Sequence, residues 1–206
     1  MRKLLLAAVL ALAVPTTSQA IVSLGLRLGV GMPAGDLAKG ALYSDQISSQ
    51  VPLQLDVMFG RPSFQLGLYV GYAYNNINAN SLGAGESAKS GTLRAGVQAT
   101  SELLDLGLVG VWVGLGTGYE AAQAVIDTPT SSVRSTVSGW EFATISAGAD
   151  LKFIPLVSIG LYGSAGFGMF STAKDEVAGG ATTTASITDK TVHSMFTIGL
   201  RGALNL

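Results

Sequence analysis

His193 is the only histidine in the chain and Ser194 follows it directly, so these are the first residues whose types suggest chemistry. A serine nucleophile needs a histidine within hydrogen-bond reach and an acid to orient that histidine. Adjacent residues of a strand point to opposite faces, which separates this pair, and Glu120, Glu141 and Asp189 are acids with no assigned place. We therefore expect His193 to be an exposed residue at a loop end and assign no catalytic residue. Gly114-Leu115-Gly116-Thr117-Gly118 is rich enough in glycine to cradle a phosphate, but no lysine and no helix follow it. Close packing between strands is the simpler expectation. Asp175-Glu176 lacks the surrounding ligands a divalent cation requires and reads as a solvated loop. The chain has no cysteine, which removes disulfides, thiolate metal sites and cysteine nucleophiles. Neither a metal nor a cofactor is expected.

Arg27, Asp56, Arg94, Asp150, Lys152 and Arg201 form a more coherent set. Each lies in a short stretch that alternates between apolar residues and small or polar ones, always on the polar side. In Val22-Ser23-Leu24-Gly25-Leu26-Arg27-Leu28-Gly29-Val30-Gly31 the five aliphatics share one face of a strand, and Arg27 sits among glycines on the other. Such stretches recur at about 21 to 32, 51 to 60, 64 to 75, 91 to 101, 108 to 119, 139 to 153, 157 to 170 and 192 to 206. Their length, roughly 10 residues, suits a tilted strand crossing a hydrocarbon core.

Long connections at about 33 to 50, 76 to 90, 120 to 138 and 171 to 191 interleave with three short ones, among them Gly60-Arg61-Pro62-Ser63. That rhythm belongs to membrane barrels with long outer loops and short periplasmic turns. Leu26, Leu68, Val97, Val111, Ile145, Ile159 and Ile198 are then expected to face lipid in mid-strand. Phe59, Phe64 and Phe153 near the short turns, with Tyr72, Tyr74, Tyr119, Trp140 and Phe167 toward the long loops, would form thin interfacial girdles.

Composition agrees with this reading. Residues are 48% apolar and only 12% charged, with 27 glycines and a net charge of −1, which is too apolar for disorder and too bare of charge for an ordinary soluble surface. There is no basic excess for nucleic acid. Met1-Arg2-Lys3, the apolar run from Leu4 to Val14 and Ser18-Gln19-Ala20 read as a signal peptide cleaved after Ala20. The run is too short to span a bilayer as a helix, which takes roughly 20 residues. Two segments result, a signal peptide over 1–20 and a single barrel domain over 21–206. A soluble lipocalin-like barrel would invert the geometry and leave the glycine-rich face toward water.

Over 21–206 the chain resembles the small eight-stranded outer-membrane barrels of the OmpA transmembrane domain and OmpX type, on architecture and not on a motif. Their chains typically end in an outward aromatic residue. Here Leu204-Asn205-Leu206 keeps the outward apolar pair but ends in leucine, and Arg201 takes the position usually held by glycine. The resemblance implies residence in the bacterial outer membrane, with outer-membrane lipid and the barrel-insertion machinery as partners. A whole OmpA-like chain would also carry a soluble peptidoglycan-binding domain after the barrel, and with strand eight at 192 to 206 none is expected here. Small barrels that deacylate lipid A use a histidine and a serine separated by one position, a spacing that His193 and Ser194 lack.

The resulting expectation is an all-β protein, an eight-stranded antiparallel up-and-down transmembrane β-barrel. A structural or surface-interaction role, adhesion or binding, would be carried by four long outer loops that contact a surface ligand. The inward set would be a polar network in which Asp56 and Asp150 neutralise neighbouring cations. Water, backbone carbonyls, or Glu102 and Asp105 near the periplasmic mouth would serve the remainder. A plug that satisfies only itself is the favoured reading, and a narrow pore for ions or small solutes is the alternative. A lipid-modifying enzyme ranks lower.

Overall fold

A computed structural model describes residues 21–38, 41–61, 63–78, 86–128, 131–154, 156–178, 180 and 182–206. The expected signal peptide, 1–20, lies outside the described residues. The elements are β1 (Ile21–Ala38), β2 (Ala41–Leu42), the short helix α1 (Tyr43–Gln46), β3 (Ile47–Arg61), β4 (Phe64–Ile77), β5 (Ser87–Asp105), β6 (Val109–Asp127), β7 (Ser132–Ile154), β8 (Val157–Val177), β9 (Thr182–Ser186) and β10 (His193–Asn205). Eight long strands form the wall, with β1, β3, β4, β5, β6, β7 and β8 pairing antiparallel in that order. The ring closes because β10 pairs with both β8 and β1. At the short-turn end Leu206 N donates to Val22 O at 2.8 Å, tying the last strand to the first. Among the described residues closure leaves no unpaired long edge, and lipid demands this because it offers no hydrogen bonds to a bare strand. No described helix is long and apolar enough to cross a membrane.

The alternation settles which face is which. Leu26 is 47% exposed, Leu68 59% and Ile198 67%, whereas Arg27 is 4% exposed and Asp56 2%. The apolar side is the exterior and the charges are inside, which excludes the inverted soluble barrel. Val97 and Ile145 share the exterior belt. Val111 is half-buried and only the third residue of β6, and Ile159 is the third of β8, so both sit near the short-turn edge and not in mid-strand.

The connections differ from expectation. β6 runs on to Asp127 and β7 begins at Ser132, so most of the expected loop 120 to 138 is a paired hairpin with Ala121 opposite Ser138 and Val125 opposite Arg134. β8 likewise continues to Val177, and β9 pairs beside it, with Thr172 opposite Ser186. Beyond the hydrocarbon a strand needs no apolar face, so the period-2 signal vanishes while β-branched residues such as Val133, Thr136 and Val137 still favour the extended backbone. In the first connection, α1 folds back and buries Tyr43 against Ile47 and Met195.

A bulge explains the irregular upper end of β7. Gly116 faces Thr144 and Gly118 faces Glu141, so β7 carries one extra residue there and both Thr144 and Glu141 point inward.

Candidate functional site

The inward charges are arranged in layers along the barrel axis. In the layer nearer the short turns, Arg27 and Arg201 lie directly opposite each other on β1 and β10. Two buried cations side by side repel, and each is neutralised away from the other. Arg27 Nε lies 2.8 Å from Asp56 Oδ2 on β3, an ion pair whose angle departs from a straight hydrogen bond. Arg27 Nη2 donates to Gln98 Oε1 at 3.2 Å, and Gln54 Nε2 donates to Asp56 Oδ1 at 2.7 Å. Arg201 pairs with Asp150 on β7.

Trp112 fills the space between the two guanidinium groups. Their central carbons lie 5.2 Å (Arg27) and 4.7 Å (Arg201) from its ring, within cation–π range. Its indole Nε1 donates to Asp150 Oδ1 at 3.1 Å. At the mouth below, Lys152 Nζ is held by Glu102 Oε1 at 2.6 Å and Asp105 Oδ2 at 3.0 Å.

The layer nearer the long connections uses groups that the alternation did not assign. Arg94 Nε donates to Glu141 Oε2 at 2.6 Å, so β5 and β7 are paired past the intervening strand β6. Glu120, directly opposite Arg94 on β6, contacts His193 Nε2. His193 is 3% exposed, which corrects the expected loop-end residue. Its ring stacks on Phe170 at 4.2 Å and meets the edge of Tyr43 at 5.5 Å. Gln50 Nε2 donates to the Tyr43 hydroxyl at 3.3 Å. Burial, and next the nearby Glu120 carboxylate, push the Tyr43 phenol above its ordinary range and keep it neutral. Tyr43, Phe170 and His193 thus form a buried ring cluster toward the outer end.

Glu120 lies one residue beyond the expected strand 108 to 119 on the inward run of Gly114, Gly116 and Gly118, and His193 falls within 192 to 206 on the inward parity of Arg201, Thr197 and Met195, so the inward direction of both was readable. Glu141 was not, because the bulge reverses its parity. Ser194 points away from the lumen side of His193, and its hydroxyl donates to Ala34 O at 3.4 Å. Asp189 is exposed.

The glycine-rich run of β6 is lumen packing. A Cβ on Gly118 would lie 2.4 Å from Tyr69 Oη, and one on Gly148 would lie 2.6 Å from both Trp112 Cζ2 and Leu161 O. Gly148→Ala should therefore cost about 1–3 kcal/mol through overpacking. Gly202→Ala, whose Cβ would meet nothing within 4 Å, serves as the control. The comparison is read from urea midpoints in lipid vesicles, and equal midpoints would contradict the packing.

Between the layers, a cavity lined by Tyr69, Arg94, Gln98, Glu141, Thr144 and Tyr162 has about 20 Å³ open to the centre of a water molecule. That is room for a water or so. Asp175 and Glu176 lie on the upper part of β8, where Lys174 pairs with Glu176 and holds its carboxyl below the usual range. Among the described residues no group of three or more His, Cys, Asp or Glu could hold a metal ion.

No protein-family model and no curated protein sequence matches the chain. Its fold is similar to that of a major outer membrane protein from Thermus thermophilus, with a TM-score of 0.64 and 15% identity over 92% of this chain and 100% of that one. OprG from Pseudomonas aeruginosa aligns with a TM-score of 0.54 and 11% identity, covering 93% of this chain and 99% of that one. AlkL, determined in DMPC bilayers, aligns with a TM-score of 0.51 and 16% identity, covering 94% and 95%. At such identities the likeness is one of fold. The fold this chain shares with them is that of an outer-membrane β-barrel. The closed ring of eight long strands is the architecture of the small barrels with that fold.

Proposed function

We propose that this protein is an outer-membrane surface protein whose barrel is a self-neutralised scaffold and whose outer hairpins carry an interaction with a surface ligand. On this reading residues 1–20 are a leader removed on export, 21–206 form the barrel, and the insertion machinery places it in outer-membrane lipid. The six inward charges Arg27, Asp56, Arg94, Asp150, Lys152 and Arg201 act as a structural network and not as a transport path. One contrast carries the reading. The lumen is filled by paired charges, Trp112 and the Tyr43–Phe170–His193 cluster, while β6, β7 and β8 rise past the apolar belt and β9 widens the sheet beside β8. Catalysis is not part of the proposal, since the buried His193 has Glu120 beside it but its neighbour Ser194 on the other face.

The test is to replace 123–136 and 173–185 by tight turns. Shortening outer loops alters closure entropy little, so the trimmed barrel is expected to remain folded, seen as heat-modifiable migration on a gel, and to lose adhesion of the expressing cells to surfaces the intact protein binds. Discrete single-channel conductance by the intact protein in a planar bilayer, or adhesion unchanged by trimming, would overturn the proposal.

A further inference from the structure

The connection between β5 and β6 is unlike a periplasmic turn in its chemistry. Leu103, Leu104, Leu106 and Leu108 crowd into it, each 56 to 71% exposed, whereas the β3–β4 turn carries the exposed Arg61 and Ser63. Four exposed leucines at a water-facing turn would be an unguarded apolar patch. The turn is nonetheless firmly built. Leu106 N donates to Val109 O at 2.9 Å, Gly107 N donates to Asp105 Oδ1 at 2.9 Å, and Lys152 N donates to Leu108 O at 2.8 Å. Gly107 takes the left-handed conformation, φ 81°, that closes the turn. Lys152 clamps Glu102 and Asp105 from β7.

The patch also continues an interface already described. Leu104 lies opposite Val111, and Val109 lies opposite Leu151, so the leucines extend the lipid-facing belt downward without a break. Much of the turn's backbone and its charged side chains have partners within the protein, which immersion at the edge of a bilayer requires.

We infer that the 103–108 turn is a membrane-seated turn, with its leucines in the periplasmic leaflet at the boundary of acyl chains and headgroups, while the β3–β4 turn stands in water. Its occupant is phospholipid. The chain contains no cysteine, so single-site labelling is clean. Leu106→Cys and Ser63→Cys, each spin-labelled and reconstituted in phosphatidylethanolamine–phosphatidylglycerol vesicles, are compared by power saturation. Folding of both is checked by heat-modifiable migration. The Leu106 site is expected to be at least about five-fold less accessible to a water-soluble nickel chelate than the Ser63 site, and more accessible to oxygen. Equal access of the chelate to both sites in the folded proteins would overturn the inference, leaving the patch for a periplasmic partner. Protection seen only at high protein-to-lipid ratio would also overturn it, in favour of contact between copies of the chain.

Discussion

Asp56→Ala should lower the unfolding free energy of the lipid-embedded barrel by about 3–5 kcal/mol, because it leaves Arg27 buried and uncompensated. Arg27 is 4% exposed, and its cross-strand neighbour is another arginine, Arg201. With Asp56 gone, two adjacent guanidinium groups would share one remaining carboxylate, that of Asp150. The double variant Asp56→Ala with Arg27→Met removes the stranded charge together with its repulsion of Arg201, and should be more stable than Asp56→Ala alone. Urea unfolding in vesicles, followed by tryptophan fluorescence, reads both, since Trp112 packs on the guanidinium groups. Strict additivity of the two single effects would show that the pair is not energetically coupled.

Leu68→Arg should cost about 2–4 kcal/mol, the range for arginine facing lipid near the midplane of an outer-membrane barrel. The position follows from β4, whose outward residues run from Phe64 to Tyr74 with Leu68 near the middle, 59% exposed. The same substitution at Val111 should cost less, because Val111 lies near the periplasmic edge, where the side chain can reach the headgroups. A Leu68→Arg barrel as stable as the parent, or a larger loss at Val111, would contradict the placement of the belt. Both variants keep the lumen untouched, so they separate lipid contact from the charge network.

The ring of eight strands and its orientation were legible in the alternation alone. A strand buried on one side in lipid and on the other in a narrow lumen repeats with a period of two, and any charge must take the lumen side to avoid hydrocarbon. Arg27, Asp56, Arg94, Asp150 and Arg201 could be placed inward for that reason, and their pairing partners could not. Partners lie on the neighbouring strand or the next but one, set by register and by the angle between strands, so that Arg27 finds Asp56 on β3 and Arg94 finds Glu141 forty-seven residues away on β7. Periodicity contains no information about that.

Where the physical constraint lapses, the sequence falls silent. Above the belt both faces of a strand meet water, so β6, β7 and β8 lose their alternation while keeping their hydrogen bonds, and a paired hairpin reads as a loop. Glu141 was hidden by one inserted residue that reverses parity. The inward parity of His193 was readable but its burial was not, because that depends on Tyr43 of α1 and Phe170 of β8. The sequence by itself determined the barrel and its two faces, since lipid and lumen act on every residue locally. Only the tertiary structure decided which charges meet and what buries His193, because those contacts join elements distant in sequence, and no local pattern records the register between them.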